Sequence, residues 1–178
     1  MKNQHTNIIV AITGASGTVY GLRLIHELLK RGDDVSIIIS PSGFLVLKEE
    51  TNLKLTGDKI EIEKRLNRYF GSNKGRISYY PSNDISSSFS SGSSLVRDMV
   101  ICPCSMGTLA RISCGISSNL IERTADVILK ERGRLIIVPR ETPFNQIHLE
   151  NMLKLCKMGV HIIPAMPAFY HKPNTVED

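Results

Sequence analysis

Ile8-Ile9-Val10-Ala11-Ile12-Thr13-Gly14-Ala15-Ser16-Gly17-Thr18-Val19-Tyr20-Gly21 decides the fold of this chain. An apolar run ends in a small, glycine-rich turn, and an amphipathic run follows. That order predicts a buried strand, a tight turn and a helix N-terminus. Such a turn offers free backbone N–H groups and the positive end of a helix dipole to an anion. Glycine and alanine let a ligand approach the backbone, and Ser16 adds a hydroxyl. A phosphate or nucleotide pocket is therefore expected at this turn. The competing reading is a turn that merely packs tightly.

The same stretch excludes some pockets. It lacks the Gly-x-x-x-x-Gly-Lys-Ser/Thr spacing of a P-loop. A dinucleotide site places Asp or Glu at the end of the second strand to hold the ribose. Here the second apolar run, Val35-Ser36-Ile37-Ile38-Ile39, ends in Ser40-Pro41-Ser42. Asp33 and Asp34 precede that run, at its wrong end. NAD is disfavoured, and a hydroxyl at Ser40 suits a mononucleotide such as FMN.

Outward from this unit, strand-like and helical runs alternate. Strands are expected over 7–13, 34–40, 98–103, 135–139 and 160–164. Helices are expected over 17–31, from a Ser42 cap to about Glu50, near 58–66, from Ser105, over 118–131 and over 145–158. In the first helix Tyr20, Leu24 and Leu28 mark one apolar face. The rest of 51–85 reads as irregular, and the serine-rich run over 86–94 as a surface loop. Apolar runs without period-two alternation, separated by helices, predict a parallel sheet covered on both faces. The fold class is α/β: a flavodoxin-like or Rossmann-like doubly wound sheet in three α/β/α layers. Ligands in such sheets sit at the carboxyl ends of the strands.

The 178 residues suit one domain over 1–178. The net charge of +5 comes from scattered Lys and Arg, so no nucleic-acid surface is expected. No apolar stretch has the length of a membrane span, and Met1-Lys2-Asn3-Gln4-His5 shows no signal-peptide pattern. Cys102, Cys104, Cys114 and Cys156 read as free thiols of a reducing cytoplasm. His5, His26, His148, His161 and His171 form no metal-ligand spacing.

Further segments carry a resemblance. They are Pro103-Cys104-Ser105-Met106-Gly107-Thr108-Leu109-Ala110, Arg123-Thr124-Ala125-Asp126-Val127-Ile128-Leu129-Lys130-Glu131-Arg132, Pro139-Arg140-Glu141-Thr142-Pro143-Phe144 and Pro167-Ala168-Phe169-Tyr170-His171-Lys172-Pro173. With Gly14-Ala15-Ser16-Gly17, in this order and spacing, they closely resemble the UbiX/Pad-type flavin prenyltransferase family, once described as aromatic-acid decarboxylase subunits. The likeness runs from about residue 7 to 178.

The resemblance implies a cytoplasmic enzyme that moves a dimethylallyl group from dimethylallyl monophosphate to reduced FMN without a metal. The product, prenylated FMN, serves UbiD-type decarboxylases, as in ubiquinone biosynthesis or aromatic catabolism. It implies FMN contacts at Gly14, Ala15, Ser16, Ser40, Ser105, Met106, Gly107, Thr108, Arg123 and Arg140. Lys130, Arg140 and Tyr170 match positions that grip the prenyl phosphate, and Ser91 lies in a matching segment, Ser90-Ser91-Gly92-Ser93, beside the pocket. Glu141 is the implied acid–base group, with Ser16 as proton relay and Glu50 as a second glutamate near the substrate. It also implies a homo-oligomer, a dodecamer of trimers, with Arg123 supplied across a subunit contact. On residues alone, Lys130 reads first as a solvated helix-face lysine, and Glu141 has a competing reading as an ion-pair partner of Arg140 or Arg123.

Gly107 stands where many members carry Lys. The chain has no Trp, so any cation–π role falls to Phe89 or Tyr80. By the resemblance the family continues past Asp178 into a helix with a further phosphate-binding Arg, and residues 173–178 read as its cap. Two alternatives compete with the transferase. A non-catalytic FMN carrier would not need Glu141, Lys130 and Tyr170. A flavin-dependent cysteine decarboxylase uses a mid-chain histidine, and no His lies between His26 and His148.

Overall fold

A computed structural model describes residues 6–51, 53–92, 96–170 and 172–175. Ser93, His171 and Val176-Glu177-Asp178, all singled out in the sequence, lie outside the described residues. Six parallel strands form one sheet: β1 (Asn7–Ile12), β2 (Asp34–Ile39), β3 (Ile77–Pro81), β4 (Asp98–Cys104), β5 (Arg134–Pro139) and β6 (His161–Ile162). The helices are α1 (Thr18–Arg31), α2 (Pro41–Glu50), α3 (Lys59–Phe70), α4 (Met106–Ser113), α5 (Leu120–Lys130) and α6 (Gln146–Lys157), with a 3₁₀ turn at Ser88–Ser90.

The strand order is β3-β2-β1-β4-β5-β6. The chain winds outward from β1 to β3, then crosses to β4 and winds outward to β6. This is the doubly wound order that places ligands where the winding reverses, between β1 and β4. Val10 marks the centre of the sheet, opposite Ile37 on one side and Val100 on the other.

The pleat divides the core in two. Ile8, Val10 and Ile12 point into one apolar cluster with Leu22, Ile25, Leu29, Leu47, Ile62 and Leu66 of α1, α2 and α3. Ile9 and Ala11 point into the other, with Leu109, Ile121, Ile128 and Leu155 of α4, α5 and α6. Each fully buried Ile or Leu contributes about 1.5–3 kcal/mol, so both faces need their helices. The three expected layers are present.

Local differences have local causes. The buried face of α1 is Leu22, Ile25, Leu28 and Leu29, while Tyr20 and Leu24 are half-buried. Ser40 rather than Ser42 caps α2: its hydroxyl accepts from the Gly43 N–H at 3.0 Å, with Pro41 in the first turn. α3 runs on to Phe70 instead of ending near 66. The strand β3 falls inside the stretch read as irregular. It is a short edge strand that ends in Pro81, so its sequence signal is weak. Its entry is held by Asp34, which accepts from the Arg76 N–H at 2.9 Å and pairs with its guanidinium at 2.8 Å. Asp33 pairs with Arg31 at 2.6 Å. The two acids at the start of β2 therefore serve the fold.

Candidate active site

The carboxyl ends of β1, β2, β4 and β5 meet at one edge. Thr13 joins the first and third of these. Its N–H and its hydroxyl both donate to the Pro103 carbonyl, at 3.2 and 2.9 Å, and its Oγ1 accepts from the Ser105 N–H at 2.8 Å. The Ser40 N–H donates to the Ile12 carbonyl at 3.0 Å, which fixes the end of β2. Gly14 must lack a side chain, because a Cβ there would sit 2.5 Å from the side chain of Ser42. Gly21 lets α1 lie on β4; a Cβ would sit 2.2 Å from the Cys102 carbonyl oxygen. Cys102 and Cys104 are buried beneath this edge, and burial pushes both thiols up, Cys102 to about 12. They are inert as nucleophiles.

The anion pocket read at the first turn holds an internal anion. Gly17 caps α1 with a left-handed backbone and no side chain. Glu50, at the end of α2, closes that helix end instead. Its carboxylate accepts from the Gly17 N–H at 3.0 Å and from the N–H and hydroxyl of Thr18 at 2.8 Å. Burial alone would raise its pKa. Hydrogen bonds from the Ser16 hydroxyl, Thr18 and Gly17 outweigh that and hold it below the usual carboxylate range. The Glu50 carboxylate takes the helix-dipole position expected for a ligand phosphate.

The anion-binding capacity of the edge lies at α4. The Ser105 hydroxyl accepts from the Thr108 N–H at 3.3 Å, and the N–H groups of Met106 and Gly107 have no acceptor within the helix. Gly107 is exposed and Met106 is buried. From β5, Arg140 reaches across and donates its Nε to the Ser16 carbonyl at 3.2 Å. Ala15 is buried and Ser16 exposed in the same turn. Glu141 is exposed and accepts from the Thr142 N–H at 3.1 Å. It forms no ion pair with Arg140 or Arg123 among the described residues. A cavity of about 300 Å³ opens beside it, lined by Arg140, Glu141, Phe144, Pro164 and Met166. The Ala165 N–H donates to the Pro139 carbonyl at 3.2 Å, which ties the segment carrying Tyr170 to this edge. Tyr170 itself is 90% exposed. A larger cavity, about 520 Å³, lies between α1 and α3 and touches none of these residues.

The other expected site residues are elsewhere. Lys130 ends α5 and pairs with Glu131 at 3.0 Å, and Glu131 reaches Arg97 just ahead of β4. That is the amino end of the sheet. Arg123, one turn into α5, donates its Nε to the Ser90 carbonyl at 3.1 Å and pairs with Asp126 at 3.0 Å. Gly92 packs beside the ends of the Lys130 and Glu131 side chains. Ser91 stands exposed between Ser90 and Gly92. Under this patch the hydroxyls of Ser87, Ser90 and Thr124 are buried without a hydrogen-bond partner among the described residues. Each such group costs about 1–3 kcal/mol unless a partner arrives. The cation–π contact at Tyr80 is internal: Lys59 Nζ lies 4.8 Å from the ring, which meets Phe89 edge-on at 4.7 Å.

Two residues that pack on this turn, Arg111 and Glu122, were not singled out in the sequence. Arg111 donates its Nη2 to Thr108 Oγ1 at 3.3 Å, and its Nε is held by the buried Glu122. The signal available was spacing, since Arg111 is three residues past Thr108 on one helix face. An exposed α4 N-terminus rich in hydroxyls, a cation from β5 and backbone cradles at Gly14 and Gly107 fit a flavin mononucleotide. No group of three or more His, Cys, Asp or Glu that would hold a metal exists among the described residues. No helix among them is long and apolar enough to cross a membrane.

Comparison with known proteins agrees with this geometry. The flavoprotein family model matches residues 1–177. Flavin prenyltransferase UbiX of Halalkalibacterium halodurans is 52% identical over 169 residues, 95% of this chain and 80% of the relative. The structure of AnUbiX (PadA1) in complex with FMN and dimethylallyl pyrophosphate is 36% identical, with a TM-score of 0.84 over 98% of this chain and 85% of that one. A dodecameric FMN-dependent UbiX-like decarboxylase from Escherichia coli O157:H7 is 35% identical, with a TM-score of 0.82 over 97% and 86%.

Proposed function

The chain belongs to the UbiX flavin prenyltransferase family, and from that premise we propose that it transfers a dimethylallyl group from dimethylallyl monophosphate to FMN bound at the carboxyl edge of its sheet. One observation carries the reading: Arg140 reaches Ser16 beside the open N-terminus of α4, with an unpaired Glu141 next to it. Bound FMN, in its reduced form, supplies the nucleophile that accepts the prenyl group.

The residues of the chain do the rest. Ser105, Thr108 and the N–H groups of Met106 and Gly107 hold the flavin phosphate, with Gly14, Ala15 and Ser40 along the tail. Arg140, Lys130 and Tyr170 grip the prenyl phosphate and stabilise the charge it gathers as it leaves. Glu141 exchanges protons at its carboxylate, free of a guanidinium partner. Glu50 stays ionised at the end of α1 and orients the Ser16 hydroxyl, through which a proton passes.

Lys130 lies at the amino end of the sheet in one chain, and Arg123, one turn into α5, is bound to the Ser90 carbonyl beside Ser91, so all three are assigned to a neighbouring protomer's site. A homo-oligomer built from trimers, a dodecamer in size like the Escherichia coli relative, supplies that neighbour. Its product feeds a UbiD-type decarboxylase in the cytoplasm. The test is anaerobic incubation with reduced FMN and dimethylallyl monophosphate, followed by mass spectrometry of the extracted flavin. A flavin heavier by one five-carbon unit is expected. Unmodified bound FMN would leave a carrier instead of a transferase.

A further inference from the structure

We infer that Arg111, seated by the buried Glu122, is a positioning and specificity residue for the flavin phosphate; the inference rests on the reading that this phosphate sits at the N-terminus of α4. Side chains on a helix lean toward its N-terminus. Arg111 follows that rule and folds back over the first turn of α4. Its Nη2 donates to Thr108 Oγ1 at 3.3 Å, and its Nη1 lies 3.4 Å from where a Cβ on Gly107 would be. A Cβ at position 107 would stand in ordinary contact with the guanidinium, so Arg111 lies directly over the first turn.

Two features make this a built arrangement. The first is the anchor. The Glu122 side chain is wholly buried and holds Arg111 Nε, while its other oxygen accepts from the Ser118 N–H at 2.9 Å. Burying a carboxylate is expensive unless it is paired and hydrogen-bonded. Here it fixes one nitrogen of Arg111 and leaves the other two directed at the first turn.

The second is the proton arrangement at Thr108. Its Oγ1 accepts from the Ser105 hydroxyl at 3.1 Å and from Arg111 at 3.3 Å. With both acceptor positions filled, the Thr108 hydroxyl is left only to donate. No acceptor for it exists among the described residues, although Thr108 is 95% buried, with a relative exposure of 5%. The turn thus offers the Met106 and Gly107 N–H groups, one hydroxyl proton and one cation, and no acceptor. That set suits a phosphate dianion. It gives no comparable advantage to riboflavin, which ends in a neutral alcohol.

The test measures the affinity of the full chain for FMN and for riboflavin by flavin fluorescence. Arg111→Met alone would strand Glu122 as a buried charge, so the double variant Arg111→Met/Glu122→Gln is the informative one. Its FMN affinity is expected to fall about tenfold with riboflavin affinity unchanged. Arg111→Lys, which keeps the charge and loses the fork, is expected to fall in between. An unchanged FMN-to-riboflavin ratio, or an equal fall in both affinities, overturns the inference and leaves the phosphate reading standing. A wild-type protein that does not prefer FMN over riboflavin overturns both.

Discussion

The two groups of family residues in this chain, one at the carboxyl edge of the sheet and one on α5 down to its amino end, are built differently. At the carboxyl edge the parts are locked by backbone. Thr13 ties β1 to β4, Glu50 closes α1, and Arg140 rests on a main-chain carbonyl. On α5 the parts are side chains on a surface. Arg123 and Lys130 are 40% and 60% exposed and pair with near neighbours, above three buried hydroxyls without partners. The seven residues of β4 put about 20 Å between the two ends. The edge is preformed within one chain, whereas on the proposed reading the α5 patch serves a site that another chain completes.

Glu141→Gln breaks the edge where the account is most exposed. Prenyl transfer should fall by about 10²–10⁴-fold, while FMN affinity and melting temperature stay at wild-type values. A matching fall in flavin binding would show that Glu141 supports the pocket and not the chemistry. Gly21→Ala attacks the preformation itself. The new methyl would meet the Cys102 carbonyl and push α1 off β4, at about 2–3 kcal/mol in denaturant unfolding. Activity and FMN affinity should fall together. No loss of stability would contradict the claim that this edge is tightly built.

Glu50→Gln gives the smallest effect, and it depends on pH. The folded-state pKa of Glu50 lies below its ordinary value. Its stabilisation is therefore present above the ordinary value and is lost as pH falls through the lower, folded value. The variant should be about 1 kcal/mol less stable than wild type at neutral pH, as for a lost helix cap. That gap should close in acid. A gap that persists in acid would mean Glu50 acts by shape and not by charge.

Much of this was legible in the sequence, for identifiable reasons. Uninterrupted apolar runs such as Val35–Ile39 marked strands buried on both faces, and the Gly14–Gly17 turn marked the edge. The strand β3 was hidden because three of its five residues face partly to solvent and Pro81 ends it. The occupant of the first turn was hidden because Glu50 arrives from 33 residues away, a contact that no local pattern encodes. The distance between Lys130 and Arg140 was hidden for a related reason. They are close in sequence, but α5 runs back down the sheet and β5 runs up it, so the two residues finish at opposite ends. Arg111 reads as a surface arginine until Glu122 is seen to hold it.

Mixed oligomers of Glu141→Gln and Lys130→Met chains test most directly whether two chains build one site. Each variant alone should be nearly inactive in prenyl transfer to FMN. Co-expressed one to one, random assembly should restore about a quarter of wild-type activity, because some sites then draw both intact residues from different protomers. Activity that stays at the level of the separate variants would place both residues in one chain's site and contradict the account.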